Sequence, residues 1–329
     1  SGQFLFAGYG IRDAKINRND YANSDARGKI IVLLSGNAPG QAASAASRPA
    51  SKLREAAQLG AAGVLILSKT LAPNAGREQL QLQLKPGTPV LSFSGSITEA
   101  AAQRLGWPLA DLTAKAAAPD FQPLSLPGTA QIELKASLRA MSARNVIATV
   151  AGSDPLVGSQ QILYSAHWDH LGMSASGEDR IFNGAVDNAT GCAALIEVAR
   201  AWAALEPKPK RSAVFIATTG EESGLLGATY YAANPVFPLQ KVKLGLNLDG
   251  LAPGPKPTGF FALGPENTDA WPLLEEGARR LSVPLRPDPK PELGYLFRAD
   301  HFALMNSGVP AYSLLPLDEG GQFSATYMS

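Results

Sequence analysis

The chain has 329 residues, 45% of them hydrophobic and 17% charged, with a formal net charge of +1. That length suits two domains of ordinary size, and the near-neutral balance gives no nucleic-acid or polyanion signal. The single cysteine, Cys192, excludes an internal disulfide and a cysteine-based zinc knuckle, and Gly, Pro or charge interrupts every apolar run before it could span a bilayer.

The chain opens on "SGQFLFAGYGI", which is already strand-like. No signal peptide precedes it, so a removed leader or a fragment is the expectation. "NRNDYANSDARGK" (17–29) is polar and turn-rich and reads as a solvated loop. "GKIIVLL" (28–34) reads as a buried strand, and "SKLREAAQLGAAGVLIL" (51–67) as a helix ending near Gly60 and then a strand. Strand signals surround a Pro-Gly turn at 81–94. A short helix follows over 96–106 with Ser96 as its N-cap, and a Pro- and Ala-rich linker over 107–128. From about Ala140 strands and helices alternate. "RNVIATVAG", "SQQILYSAHWD", "RSAVFIATTG", "KLGLNLDG" and "GVPAYSLL" are the strands; "TGCAALIEVARAWAAL", "SGLLGATYYAAN" and "TDAWPLLEEGARRL" are the helices. This order predicts an α/β fold: a mostly parallel mixed sheet covered by helices on both faces, preceded by a smaller α/β domain. Ligands of such sheets gather at the carboxyl ends of the strands.

Polar residues fall at those ends. One strand finishes on His167 and Asp169, another on Asp249, and a third runs into Glu221 and Glu222; Asp187 stands just before a helix. Each has a bland reading taken alone: a satisfied histidine, a helix-start aspartate, a turn before Gly250, a solvated acidic pair. Together they place about four carboxylates on one rim, and uncompensated carboxylates at close range are driven to neutralise. No Lys or Arg lies in these motifs, whereas two divalent cations would balance them. Imidazole plus carboxylate suits zinc better than calcium or magnesium. Asp169, two residues from His167 along an extended chain, is placed to hold the histidine's second ring nitrogen. Only three histidines occur, His167, His170 and His301, and His170 is expected to point away along the strand as a structural residue. Ser223 in "GEESG" does not sit in a nucleophile elbow, which excludes a serine hydrolase.

The motifs "AHWDHLG", "NGAVDNATG", "TTGEESGLLGA", "LNLDG" and "FRADHFALMNSGVP" resemble the co-catalytic zinc aminopeptidases related to bacterial leucyl aminopeptidase, a family that also includes glutamate carboxypeptidase. The resemblance covers roughly residues 143–315. The leading "FAGYGI" and "GKIIVLLSG" resemble, more weakly, the protease-associated domain that many members carry as an insertion. The implied organisation is a protease-associated domain over 1–140 and a zinc peptidase catalytic domain over 141–329 that lacks sequence at both ends.

The resemblance further implies two Zn2+ ions bridged by Asp187, a cis bond from Asp187 to Asn188, His167 and Asp249 on one zinc, Glu222 on the other, and Glu221 as general base. Asp300 and His301 match an Asp-His element near the active site, and Arg298 is a candidate for holding a substrate carboxylate. The implied activity is hydrolysis of N-terminal peptide bonds by a metal-bound hydroxide, with a peptide as partner and a periplasmic or secreted address. The family's fifth ligand is a histidine near the C-terminus that has no counterpart here, so the second zinc is expected to bind poorly unless His301 substitutes, and activity to be weak or absent. A dipeptidase or carboxypeptidase of the glutamate carboxypeptidase type is the alternative enzyme. A non-catalytic receptor-like module is the alternative of another class.

Overall fold

Residues 1–41, 44–68, 94–131, 139–174, 177–251, 258–264 and 268–317 are described by a computed structural model. The strand expected within 81–94 lies outside these residues up to Ser94. The chain divides into two compact units, one from Ser1–Glu78, Pro89–Ala140 and Glu292–Phe297, the other from Gln79–Thr88, Met141–Pro291 and Arg298–Ser329.

In the first unit Gly2–Phe6 (β1) is followed by a short ladder of Arg12–Asp13 (β2) against Arg18–Asn19 (β3), and then by Ile30–Leu34 (β4). Helix Pro49–Gln58 (α1) leads into Gly63–Ser68 (β5), and Ser94–Thr98 (β6) precedes helices Glu99–Arg104 (α2) and Leu109–Ala117 (α3) and strand Leu124–Ala130 (β7). The sheet order is β6-β5-β4-β1-β7, parallel except for β7. β4 is apolar at all five positions because it lies between parallel neighbours with both faces covered. Strand alternation sends Phe4, Phe6, Ile30 and Val32 to one core with Trp107, Leu112 and Phe121, and Leu5, Ile31 and Leu33 to another with Ala56 of α1.

Two expectations are corrected here. The linker over 107–128 is instead α3 and β7, ordered because Trp107, Leu112 and Ala116 bury against the sheet. The helix before it begins at Glu99 with Thr98 as N-cap, whose Oγ1 accepts from the Ala101 amide at 3.3 Å; Ser96 belongs to β6.

The segment 17–29 is also less solvated than its composition suggests. Arg18, Asp20 and Tyr21 are buried. Asp20 accepts from the amides of Tyr9 at 3.0 Å and Ile11 at 3.1 Å and lies 2.7 Å from Arg18 Nε. Arg18 donates in turn to Ala116 O at 2.7 Å. Lys52 of α1 is buried nearby, its Nζ bonded to Gly36 O and 5.8 Å from the Tyr9 ring centroid.

The second unit carries seven strands: Val146–Val150 (β8), Gln161–His167 (β9), Ser212–Thr218 (β10), Val242–Leu248 (β11), Gly259–Leu263 (β12), Leu285–Pro287 (β13) and Ala311–Leu317 (β14). Their order is β13-β12-β14-β11-β9-β10-β8. The inner four strands are parallel, while β8 and β12 run antiparallel to their inner neighbours. Helices Gly191–Ala204 (α4), Leu226–Ala233 (α5), Trp271–Arg280 (α6) and His301–Met305 (α7) accompany them. The mixed, mostly parallel sheet with a smaller α/β sheet before it agrees with the fold expected from the strand and helix order; β12 and β13 are added by the structure. Among the described residues no helix is long and apolar enough to cross a membrane.

The first unit generates two predictions. Asp20→Ala leaves Arg18 buried without its carboxylate and is expected to cost about 3–5 kcal/mol in urea unfolding, whereas a loss under about 1 kcal/mol would show that the pair is dispensable. Burial pulls the Lys52 ammonium from 10.5 down to about 8, with Asp20 opposing and Arg18 adding to the shift. The unfolded chain therefore binds more protons between those two values, so this group makes stability rise as pH climbs from about 8 to about 10.5. Lys52→Met should remove that rise, which thermal unfolding across the interval will show.

Candidate metal centre

β9, β10 and β11 are parallel, so their carboxyl ends lie on one edge of the sheet. His167 at the end of β9 pairs in register with Thr218 at the end of β10, and Asn247, two residues before Asp249, pairs with Ser165. Beneath the edge runs a buried polar ladder: Ser165 Oγ donates to Asn247 Oδ1 at 2.8 Å, and Asn247 Nδ2 reaches Ser313 Oγ at 3.5 Å. Buried side chains of this kind in the middle of an apolar sheet tie neighbouring strands into one register.

His167 is buried, and its Nε2 lies 3.0 Å from Asp187 Oδ1 and 3.4 Å from Asp249 Oδ1. Its Nδ1 lies 3.0 Å from the backbone carbonyl of Asp169 and 3.7 Å from that residue's Oδ1. A proton on Nδ1 satisfies the carbonyl and leaves the Nε2 lone pair aimed at the two carboxylates. The carbonyl thus stands closer to the ring than the carboxylate does, while Asp169 Oδ1 accepts the Glu221 amide at 3.1 Å. Asp169 couples the histidine to the turn that carries the paired glutamates.

A second group forms beside the first. His170 Nδ1 lies 2.8 Å from Glu222 Oε1, and these two atoms share Asp187 with the first group; the ligand atoms within each group lie within 4.8 Å of one another. His170 therefore does not point away. β9 ends at His167, so strand alternation stops there, and a chain that turns brings the residue three positions on back to the same site. The close atoms do not hydrogen-bond: His170 Nδ1, Asp187 Oδ1 and Glu222 Oε1 are all buried and without a hydrogen-bond partner. Close ligand atoms that lack hydrogen-bond partners of their own are what a cation site presents. Two ligands of a tetrahedral zinc about 2.0–2.2 Å away stand roughly 3.3 Å apart, close to the separations seen here. The nitrogen and carboxylate donors fit zinc, and Asp187, common to both groups, is placed to bridge two ions. The residues form two candidate metal-binding triads, consistent with a di-zinc site.

Asp187 and Asn188 are held in an irregular turn, Ala185–Thr190, in which both have non-helical backbone angles and their shared peptide bond is cis. Asn188 Nδ2 donates to Leu248 O at 3.0 Å, and its Oδ1 accepts from the amides of Gly191 and Gly250, both at 3.1 Å. One side chain thereby fixes Asp187 against the end of β11 that carries Asp249. Gly191 is required there, because a Cβ would collide with Asn188 Oδ1 and Leu248 O. Cys192 supports the other side by donating its thiol to His167 O at 3.1 Å.

Burial lifts the Glu221 carboxyl to about 9, helped by Asp300 and Asp249 and opposed by His167. Burial and then Asp187 raise Glu222, which the two histidines pull back. Burial opposes charge on His167, but Asp169, Asp187 and Asp249 outweigh it and hold its imidazolium well above the ordinary range. Asp300 is fully buried and accepts from Thr218 Oγ1; burial pushes its carboxyl to about 7. His301 is fully buried too, pushed down to about 3 by desolvation alone, and joins neither triad. His301 therefore does not serve as the histidine of the second group, where His170 stands. Arg298 is exposed.

The model of peptidase family M28 matches residues 145–327, more than half of the chain. Among curated proteins, leupeptin-inactivating enzyme 1 of Streptomyces exfoliatus is 29% identical over 171 residues, 52% of this chain and 35% of its own length. A vacuolar membrane protease of Verticillium alfalfae is 29% identical over 116 residues, 35% of this chain and 10% of its own. The chain thus spans about a tenth to a third of these relatives. Among solved structures, an aminopeptidase from Aneurinibacillus sp. strain AM-1 superposes with a TM-score of 0.53 at 22% identity, covering 96% of this chain and 65% of that one; the likeness is one of fold. With the family match spanning every residue of both triads, the chain belongs to peptidase family M28.

Proposed function

We propose that the protein is a zinc aminopeptidase. The observation that carries this reading is Asp187, shared by two histidine–carboxylate groups, with His170 Nδ1, Asp187 Oδ1 and Glu222 Oε1 buried and without hydrogen-bond partners. His167, Asp249 and Asp187 would hold one ion, and His170, Glu222 and Asp187 the other. Zinc at such a site supplies a Lewis acid for the scissile carbonyl and makes water more acidic.

The remaining work falls to the chain's own residues. Glu221 is the general base: its carboxylate takes a proton from the attacking water and returns it to the leaving amine. Its amide is anchored on Asp169, so the carboxylate that moves the proton is set by the same residue that neighbours His167. The acid-rich rim attracts the cationic amino terminus of a peptide. Asp300, buried and bonded to Thr218, raises the Glu221 carboxyl when ionised and so favours its hold on a proton.

Two measurements test these roles. Glu221→Gln should lower kcat for leucine p-nitroanilide by about 10²–10⁴-fold while zinc per chain stays constant; loss of zinc instead would make Glu221 a ligand. His170→Ala should reduce the metal content of the purified chain from two zinc ions to one, and an unchanged content of two would remove His170 from the ligand set.

A further inference from the structure

The glutamate pair sits in a turn that local backbone preference does not favour. Gly220, Gly224 and Leu225 all take left-handed backbone angles, with φ of 67°, 105° and 62°. The two glycines adopt them freely, whereas at Leu225 the side chain makes the conformation strained. Within the turn the carbonyls of Thr219, Gly220 and Glu221 accept from the amides of Gly227, Leu226 and Leu225 at 2.8, 3.0 and 2.9 Å. These bonds close the turn on itself. Two side chains from other segments hold it from outside: Asp169 accepts the Glu221 amide, and Asn145 takes both ends.

Asn145 Oδ1 accepts from the Thr219 amide at 3.1 Å, and its Nδ2 donates to Gly227 O at 2.9 Å. A carboxamide suits this task, since it offers an acceptor for a peptide N–H and a donor for a peptide C=O on one planar group. The fit is close: a Cβ at Gly227 would collide with Asn145 Oδ1 and with the Thr219 backbone. The sheet explains how Asn145 comes to stand there. Val146 pairs with Ala217 in the ladder of β8 and β10, so Asn145, one position earlier, is level with the end of β10. Trp168 secures the chain at that point, its indole donating to Arg144 O at 3.3 Å and its amide to Thr218 O at 2.9 Å.

We propose that Asn145 is a positioning residue of the metal centre: by clasping both ends of the turn it holds Glu222 beside His170 and so sets the affinity of the second zinc. The proposal rests on the two-metal reading above. Residues that orient ligands without touching the ion change metal affinity by about 10–100-fold when they are replaced. The effect is one-sided, because the ligands of the first ion are fixed from elsewhere. Asn188 joins the Asp187 turn to the end of β11, and Cys192 supports the backbone of His167.

The test is a zinc titration of the metal-free full chain against a competing chromophoric chelator. The wild type should fill two sites. Asn145→Ala should weaken one of them by about 10–100-fold and leave the other unchanged. When Asn145→Ala is combined with His170→Ala, the one ion that remains should bind as it does in His170→Ala alone. Ser212→Ala is the control for stability: Ser212 Oγ accepts from the Gly152 amide at 2.9 Å and donates to Gly158 O at 2.6 Å, a bridge of the same kind at the opposite end of β10. Its zinc affinities should match the wild type. Should Asn145→Ala not fold, Asn145→Ser is read by the same criterion. Unchanged affinities in the Asn145 variant, a loss shared by both ions, or a matching loss in Ser212→Ala overturns the proposal and leaves the peptidase reading intact. A wild-type chain that binds fewer than two zinc ions overturns both. Two bound zinc ions without hydrolysis of leucine p-nitroanilide overturn the peptidase reading alone.

Discussion

The site of the second unit depends on one electrostatic constraint: carboxylates are gathered at the ends of parallel strands against two imidazoles. Asp187 and Asp249 face His167, and Glu222 faces His170 across the same Asp187. Burial and nearby carboxylates raise Glu221, Glu222 and Asp300, and Asp169, Asp187 and Asp249 raise His167. Such a cluster has two ways of reaching neutrality. It binds protons, or it binds metal. Close pairs whose atoms fail to hydrogen-bond favour the second, because a proton would draw donor and acceptor into line, whereas a metal draws both toward a third point.

That arrangement needs rigid support, since ligand atoms misplaced by a fraction of an ångström lose coordination. The support is backbone register and a few buried amides. Parallel pairing sets His167 level with Thr218, and the Ser165–Asn247–Ser313 ladder ties three strands below the site. Asn188 joins the Asp187 turn to the end of β11 with three hydrogen bonds, and the missing side chain of Gly191 makes room for it. Asp169 spans the gap between β9 and the glutamate turn. None of these residues would itself bear charge onto a substrate; each fixes one that does.

Much of this was legible in the sequence because it is written in local patterns. Buried parallel strands are continuous apolar runs, and acids at their ends stand out against them. What was not legible depends on where a strand stops. His170 looked misdirected only if the extended chain continued beyond His167; the strand ends there, and the histidine returns to the site. Asn188, Gly191 and the Ser165–Asn247–Ser313 ladder act between segments far apart in sequence, which no spacing rule can pair. In the first unit the errors share a cause. Residues 107–128 are rich in Pro and Ala and 17–29 in polar side chains, so composition suggested linker and solvated loop. Trp107, Leu112 and Ala116 bury against the sheet instead, and Arg18 with Asp20 turns inward as a pair.

That pair shows how buried charge that serves a fold differs from buried charge that serves a site. Asp20 is buried as deeply as His167, and burial raises its carboxyl too. Its neighbours, however, are of the opposite kind: Arg18 at 2.7 Å and the amides of Tyr9 and Ile11, all of which lower it again. The cluster is balanced by its own chain. At the triads the carboxylates stand instead against two imidazoles and one another. Desolvation is common to both places; the kind of partner is what separates them. An arginine and backbone amides hold an acid as part of the fold, whereas imidazoles and carboxylates gathered within one small volume are the donor set that a metal ion takes.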